Sequence, residues 1–461
     1  MRAVLIGFRG TGKTEVGRLL AHMEAVPFFD TDQMIEESAG KTIYEIFSDD
    51  GEEEFRRRER KIIASLQPGD AVIATGGGAI LNPENVRRLR TGGTVFLLQA
   101  DESAIEKRIR DTRRPSLTRL PLRDEIRALL AERRDAYLSA ADFCIDTSIK
   151  NANEVSLEIH RILSGAAVSW TRRERGLESI KGSGIAPGDV KELEELLMAE
   201  NTDTLTRVYG IMGYPCTHSK SPQLFNRLFT QYRVNAFYTR LQNPELASLI
   251  RVARDIDIRG ASVTIPFKQE VIAYLDNLDH DAEAIGAVNT IVFCGGKSYG
   301  SNTDWLGIRG PLEEHRGKRA AVLGAGGAAA AAVYALLDLE MEVTVLNRTP
   351  ERAEELAVRF GCNYAPLSAF GTVNPGVVVN ATPVGMTPDR HSPLRPDELG
   401  NGMVVFDLVY TPAETPLIRM ARNAGAMVIP GPEMFIRQAA AQFRRFTGIQ
   451  VPVEEIKRMM E

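Results

Sequence analysis

Closely spaced cysteines are missing from this chain. Its four cysteines, Cys144, Cys216, Cys294 and Cys362, lie far apart and lack the close spacing of a zinc site or a thioredoxin-like redox pair. Buried, reduced thiols are therefore expected, and cysteine-ligated metal is not. Long apolar runs are missing as well: the longest, near Ala328 to Leu337, is half of the roughly 20 residues a membrane-spanning helix needs. Nor is there an excess of positive charge. The net charge of -5 and pI of about 5.9 offer no overall attraction to nucleic acid or an anionic membrane, so small molecules are the expected partners. Met1-Arg2-Ala3-Val4-Leu5-Ile6-Gly7 runs straight into a glycine-rich motif, which leaves no space for a signal peptide and suggests a cytoplasmic protein.

What is present is globular: 44% hydrophobic and 25% charged residues in 461, too many for one ordinary core. Short apolar runs (Ala3 to Ile6, Ala71 to Ala74, Thr94 to Leu98) alternate with helix-like stretches through residue 164, as in a parallel sheet with crossover helices. Residues 165–206 change character, with Gly182-Ser183-Gly184 and Pro187-Gly188 around a charged stretch, and read as a linker carrying one short helix. A second α/β region of two lobes occupies 207–461, the later lobe opening at the strand Ala320 to Leu323.

Gly7-Phe8-Arg9-Gly10-Thr11-Gly12-Lys13-Thr14 fits G-x-x-x-x-G-K-[ST] between an apolar strand and a helix. Gly10 and Gly12 let backbone amides curl around phosphate oxygens, Lys13 neutralises the β and γ phosphates, and the Thr14 hydroxyl can ligate Mg²⁺. Downstream stand Phe28-Phe29-Asp30-Thr31-Asp32, Gly51-Glu52-Glu53-Glu54-Phe55-Arg56, Thr75-Gly76-Gly77-Gly78, Arg113-Arg114-Pro115, and Arg133 four positions before Tyr137. This set resembles shikimate kinase over about the first 160 residues. The resemblance implies ATP and Mg²⁺, with Asp30 holding the metal's water shell and Asp32 orienting or deprotonating the acceptor 3-hydroxyl. It also implies that Arg56 and Arg133 grip the shikimate carboxylate, since a guanidinium binds carboxylate bidentately, while Gly76, Gly77 and Gly78 let the backbone approach the ring. Arg114 would reach the transferring phosphate from a lid, and Arg108, Arg110 and Arg113 compete for stacking on adenine. Arg57, Arg58 and Arg60 read as surface charge.

The second region carries His218-Ser219-Lys220-Ser221-Pro222, Ser262-Val263-Thr264-Ile265-Pro266-Phe267-Lys268, Gly286-Ala287-Val288-Asn289-Thr290 and Asn302-Thr303-Asp304. Reducing a ketone places negative charge on oxygen, so a proton donor is needed there, and Lys268 beside Asp304 supplies that chemistry. In order and separation these pieces resemble shikimate dehydrogenase. That resemblance assigns the ring carboxylate to Ser219 and Ser221, and the ring hydroxyls to Thr264, Asn289 and Gln438, with Tyr410 near substrate; His218 reads as structural.

Gly324-Ala325-Gly326-Gly327-Ala328 joins a strand to a helix, where a pyrophosphate can sit. The following strand ends in Asn347-Arg348-Thr349, with Arg352 one turn on, where a carboxylate would accept a free ribose 2'-hydroxyl; Arg348 attracts a 2'-phosphate instead and implies NADPH. By resemblance Thr382 lies near the ribose and nicotinamide side and Gly431 in the turn closing that pocket. Trp305 departs from the small residue usual after Asp304, and either narrows the pocket or packs beneath it.

The expected architecture is thus α/β throughout: a P-loop kinase domain with a parallel sheet, then a two-lobed dehydrogenase with a Rossmann-type NADP-binding lobe. Its lobes are 207–310 for substrate and 311–430 for NADP, with 431–461 returning to the first. The expected function is consecutive, NADPH-dependent reduction of 3-dehydroshikimate followed by ATP-dependent phosphorylation of shikimate. The alternatives are a non-catalytic sensor of pathway ligands and a quinate-oxidising dehydrogenase fused to a kinase.

Overall fold

The computed structural model describes residues 1–110, 118, 120–164 and 206–460, so the linker expected at 165–206 and the lid arginines Arg113 and Arg114 lie outside the described residues, Thr206 excepted. The first sheet comprises β1 (Arg2–Ile6), β2 (Phe28–Asp30), β3 (Ala71–Ala74), β4 (Thr94–Gln99) and β5 (Phe143–Asp146), all parallel in the order β2-β3-β1-β4-β5. Its central strands are buried on both faces, which is why they read as continuous apolar runs and not as alternating ones. Helices Lys13–Glu24 and Ala152–Leu163 pack together against one face, and Leu122–Ala140 crosses the other.

The second sheet is mixed: β6 (Arg207–Gly213), β7 (Ala236–Gln242), β8 (Gly260–Val263), β9 (Asn277–Leu278), β10 (Thr290–Cys294) and β11 (Lys297–Ser301) in the order β7-β6-β8-β10-β11-β9. β10 runs antiparallel to both neighbours. The third sheet is wholly parallel: β12 (Arg319–Leu323), β13 (Glu342–Asn347), β14 (Asn363–Pro366), β15 (Val377–Asn380), β16 (Val404–Asp407) and β17 (Met427–Ile429), ordered β14-β13-β12-β15-β16-β17. This is the doubly wound nucleotide-binding order, with its crevice beside β12. The helix Gly431–Thr447 leaves this lobe and packs on the second sheet, bringing Phe435, Phe443 and Phe446 into the core around Phe225 and Tyr238. No helix among the described residues is long and apolar enough to cross a membrane.

Two expectations need correction. Cys144 on β5 and Cys294 on β10 are not free thiols: they form a disulfide across 150 residues of sequence, with Cα atoms 5.3 Å apart. Cys216, buried, and Cys362, partly buried, stand outside any disulfide, as expected. The two catalytic regions, expected to be self-contained, also share one apolar cluster beside the cores that each keeps for itself. Cys294, with Val292 and Tyr299 packed beside it, joins the hydrophobic cluster of Val4, Leu97, Leu138 and Ala141 in the first region. Ion pairs ring this contact: Arg445 bridges Asp135 (2.7 Å) and Asp279 (2.8 Å), and Asp142 receives both Arg90 (3.0 Å) and Arg207 (2.9 Å). Arg134 donates to the Leu278 carbonyl at 3.2 Å, and the Arg259 guanidinium lies over the Phe143 ring. Sequence periodicity shows which face of an element is apolar; it does not show that two domains share one apolar face.

If a protease site is engineered between residues 165 and 205 and cleaved, the halves are expected to run as one species on a denaturing gel without reductant and as two with it. Separation without reductant would show that Cys144 and Cys294 are unpaired.

Candidate active sites

The first cleft, about 1210 Å³, opens above the carboxyl ends of β1, β2 and β3. Chain reversal after β1 requires positive φ at Gly7, Gly10 and Gly12, and a Cβ on Gly7 would sit 2.3 Å from the Leu98 carbonyl oxygen. The loop delivers the N-terminus of the helix Lys13–Glu24 to the cleft floor. Lys13 is turned inward, its Nζ donating to the carbonyls of Gly7 and Phe8 at 2.9 Å each.

Thr14 Oγ1 donates to Asp30 Oδ2 at 2.7 Å, while Asp30 Oδ1 caps the next helix by accepting from the Asp32 and Gln33 amides. A hydroxyl and a carboxylate side by side, open to the cleft, suit Mg²⁺, which typically takes one or two protein oxygens and completes its shell with phosphates and water. Asp32 lies against the glycine loop, so close that a Cβ on Gly76 would fall 2.5 Å from its Oδ1.

Arg56 donates to Glu59 at 3.0 Å, and Glu59 is almost wholly buried; that burial pushes its carboxyl up despite the nearby Arg56. Arg133, also buried, lines the same wall, and the Tyr137 hydroxyl donates to the Gly77 carbonyl. Arg108 is fastened to the Thr147 carbonyl (2.6 Å) and lies near Gly10, whereas Arg110 is solvated and paired with Glu106. Of the described candidates for the adenine contact, Arg108 is the one bonded to the phosphate loop. Arg57 and Arg58 pair with Glu54 outside the cleft.

The second cleft, about 940 Å³, lies between the second and third sheets. Lys268 Nζ stands 2.6 Å from Asp304 Oδ2, and Asn289 Nδ2 donates to Asp304 Oδ1 at 2.8 Å. Three segments separated in sequence thus meet in one hydrogen-bonded set. Ser219 and Ser221 are buried at the start of the helix Ser221–Gln231, with the Ser221 amide donating to Ser219 Oγ at 3.2 Å. Thr264, Tyr410 and Gln438 line the same space, Tyr410 stacking on Phe435 with its phenol pushed up by burial. Gly431 has no room for a side chain: a Cβ would meet the Val409 carbonyl oxygen at 2.2 Å.

On the Rossmann side, Gly324 (φ +108°) turns the chain after β12, and Gly326, Gly327 and Ala328 open the helix Gly327–Asp338 toward the cleft. Thr382 is held by Asn380, its Oγ1 donating at 2.6 Å. Asn347, Arg348 and Arg352 line the rim, with Asn347 Nδ2 bonded to the Thr349 carbonyl; both arginines are exposed and make no ion pair among the described residues. His218 is exposed and outside the cleft. Trp305 packs edge-on against Tyr334 at 5.3 Å under the lobe and does not narrow the pocket.

Sequence reading missed a buried polar chain behind this set. Gln442 donates to the Asn289 carbonyl and to Thr290 Oγ1, both at 2.9 Å, and accepts from Ser262, which in turn accepts from Tyr238. The only available signal was Gln442 standing four residues, about one helical turn, after Gln438.

A phosphate loop beside a hydroxyl–carboxylate pair is the form of a nucleotide-phosphate site, and a lysine–aspartate pair facing a doubly wound lobe is that of a dinucleotide oxidoreductase. Family models agree: residues 9–164 match shikimate kinase, 211–291 the shikimate dehydrogenase substrate binding domain, 309–382 shikimate/quinate 5-dehydrogenase, and 431–460 the shikimate 5'-dehydrogenase C-terminal domain. An NADP(+) shikimate dehydrogenase of Maridesulfovibrio salexigens is 37% identical over 261 residues, covering 55% of this chain and 96% of that protein. A bifunctional 3-dehydroquinate dehydratase/shikimate dehydrogenase of Arabidopsis thaliana is 36% identical over 60% of this chain and 50% of its own length. The Thermus thermophilus shikimate 5-dehydrogenase, solved with NADP(H) and shikimate, superposes with a TM-score of 0.52 at 33% identity, covering 55% of this chain and 97% of that one. The chain belongs to the shikimate dehydrogenase family and carries a shikimate kinase domain ahead of it.

A Cβ at Gly78 would lie 2.4 Å from the Arg56 guanidinium, a flexible group that can swing away without unfolding the domain. Gly78→Ala is therefore expected to raise the kinase KM for shikimate about 10-fold, the worth of one charge-assisted hydrogen bond, and to leave dehydrogenase kinetics alone. An unchanged kinase KM would remove Arg56 from carboxylate binding.

Proposed function

We propose that the second region reduces 3-dehydroshikimate to shikimate with NADPH, and that the first phosphorylates the shikimate 3-hydroxyl with MgATP. The observation that carries this reading is the assembly of both catalytic sets from dispersed residues: Lys268 with Asp304 and Asn289, and Thr14 with Asp30 beside Asp32.

In the reduction, Ser219 and Ser221 hold the ring carboxylate, while Thr264, Asn289, Gln438 and Tyr410 orient the ring. NADPH, when bound, supplies the hydride. Lys268 gives its proton to the oxygen as the carbonyl carbon is reduced, and Asp304 at 2.6 Å keeps the ammonium aimed. Arg348, with Arg352, receives the 2'-phosphate at the end of β13, where the absence of a carboxylate disfavours NAD and with it the quinate reading.

In the phosphorylation, Arg56 and Arg133 grip the carboxylate of shikimate, and Gly76 to Gly78 admit its ring. MgATP supplies the phosphoryl group. Thr14 and Asp30 would hold the metal and its water shell, Lys13 would turn from its resting carbonyls to the phosphates, Arg108 would flank the adenine, and Asp32 would accept the proton of the attacking hydroxyl. Arg114 belongs to the same set by resemblance. Lys13, Asp32, Lys268 and Asp304 are all in place, which favours turnover over a ligand-sensing role. The two clefts have no lining residue in common among the described residues, which supports two independent sites.

In a coupled assay following NADPH loss and ADP release, Lys268→Ala is expected to cost roughly 10² to 10⁴ in reduction while added shikimate is still phosphorylated. Lys13→Ala should give the converse. Arg348→Ala should weaken NADPH far more than NADH; equal losses would mean that Arg348 does not meet the 2'-phosphate.

A further inference from the structure

The phosphate loop contains a second cation that the motif does not require. Arg9 occupies a variable position of the loop, lines the first cleft, and is held by an ion pair from its Nη2 to Oε1 of Glu125 on the helix Leu122–Ala140. Both groups are nearly buried, with side-chain exposures of 11% and 1%. Glu125 is fixed in turn, since its Oε2 accepts from the amide and hydroxyl of Thr118 at 3.1 and 3.0 Å. Withdrawing two charges from water costs several kcal/mol per ion before their attraction repays it, so such a pair is weak evidence for stability. It is better explained by where it places the cation.

The guanidinium springs from backbone at the seam between donor and acceptor loops, and its side chain lines the cleft that both share. A Cβ built on Gly77 would lie 3.4 Å from the Arg9 amide nitrogen, so the glycine loop that admits the acceptor ring abuts the phosphate loop at Arg9. Lys13 approaches from the helix side, where its Nζ now bonds Gly7 and Phe8. Arg56 and Arg133 line the acceptor wall of the same cleft.

We infer that Arg9 is a further catalytic residue of the kinase, a cation aimed at the phosphoryl group in flight, and that Glu125 is its positioning residue. The inference rests on the kinase reading above. In the step, the bond from phosphorus to the departing ADP oxygen breaks as the bond from the 3-oxygen of shikimate forms, and the hydroxyl proton passes to Asp32. Charge accumulates on the equatorial oxygens between the two loops, and a fixed guanidinium there stabilises the transition state without having to reorganise. Glu125, held by Thr118 and buried, restricts Arg9 to that direction.

The test uses the full chain, whose dehydrogenase rate reports folding independently of the kinase. Arg9→Met should lower kinase kcat about 10²-fold, the usual loss for one preorganised donor, with the KM for shikimate and for MgATP changed less than about threefold. Arg9→Lys should recover part of kcat, since the charge returns without the fork. Glu125→Gln should lower kcat less than Arg9→Met does, and the double variant should be no slower than Arg9→Met alone, because both act through one guanidinium. Wild-type turnover in Arg9→Met, a loss confined to KM, or multiplicative losses in the double variant would each overturn the inference. If Arg9→Met lowers the melting temperature, Arg9→Lys decides: recovered kcat supports the role, and kcat as low as in Arg9→Met ends it. A wild-type chain without kinase activity would instead overturn the function proposed for the first cleft.

Discussion

A helix leaves its first amides without partners inside the helix, and this chain uses that deficit twice. After β1 and again after β12, a parallel strand ends in a glycine turn that delivers a helix N-terminus to a cleft, at Lys13 and at Gly327. In each case the sheet sets the direction and the glycines permit the turn. Where the two sites differ is in what stands opposite the amides. In the first cleft a hydroxyl of the helix itself meets a carboxylate at the end of β2; the second opens onto the lobe whose loop after β8 and helix after β11 bring Lys268 and Asp304 together. Electron-pair chemistry on a ketone and phosphoryl transfer thus share one solution for holding phosphate and diverge in the facing residues.

The contact between the regions reaches the elements that build both sites. The helix Leu122–Ala140 presents Arg133 to the kinase cleft, while the adjacent Arg134 and Asp135 face the dehydrogenase. On the other side, Gly431–Thr447 brings Gln438 and Gln442 to the second cleft and meets the kinase region through Arg445 and Thr447 at its far end. β10 begins beside Asn289 and ends in the disulfide at Cys294. Fusion has therefore shared a wall as well as a reading frame.

Much of this was legible in sequence because it is local. The phosphate loop is eight consecutive residues, and its flanking strand and helix announce themselves by apolar periodicity; Asn347-Arg348-Thr349 falls at a strand end that the Rossmann pattern locates. The Lys268–Asp304 pair is not local, but each partner sits in a recognisable segment. What stayed hidden depends on register between distant elements. Gln442 matters because one face of its helix lies over β8 and β10, and nothing in the helix itself states that pairing. Cys144 and Cys294 look unrelated until β5 and β10 are brought together by docking. Trp305, ambiguous in sequence, resolves once Tyr334 is seen beneath it.

The order of the two regions in the chain, kinase before dehydrogenase, opposes the order of the reactions, and the structure shows why this carries no penalty. Among the described residues each cleft is lined by its own elements, with none borrowed from the other, so neither site requires its neighbour to come first in the chain. What the shared interface constrains is orientation. Asp142 receives an arginine from each region, and the apolar cluster around Leu138 and Ala141 admits Val292 and Cys294, so burial selects one docking geometry over a free tether. The advantage of docking is structural: each region covers apolar surface that the other would otherwise expose, and each lends a rigid backing to the helix on which its partner mounts substrate-binding residues.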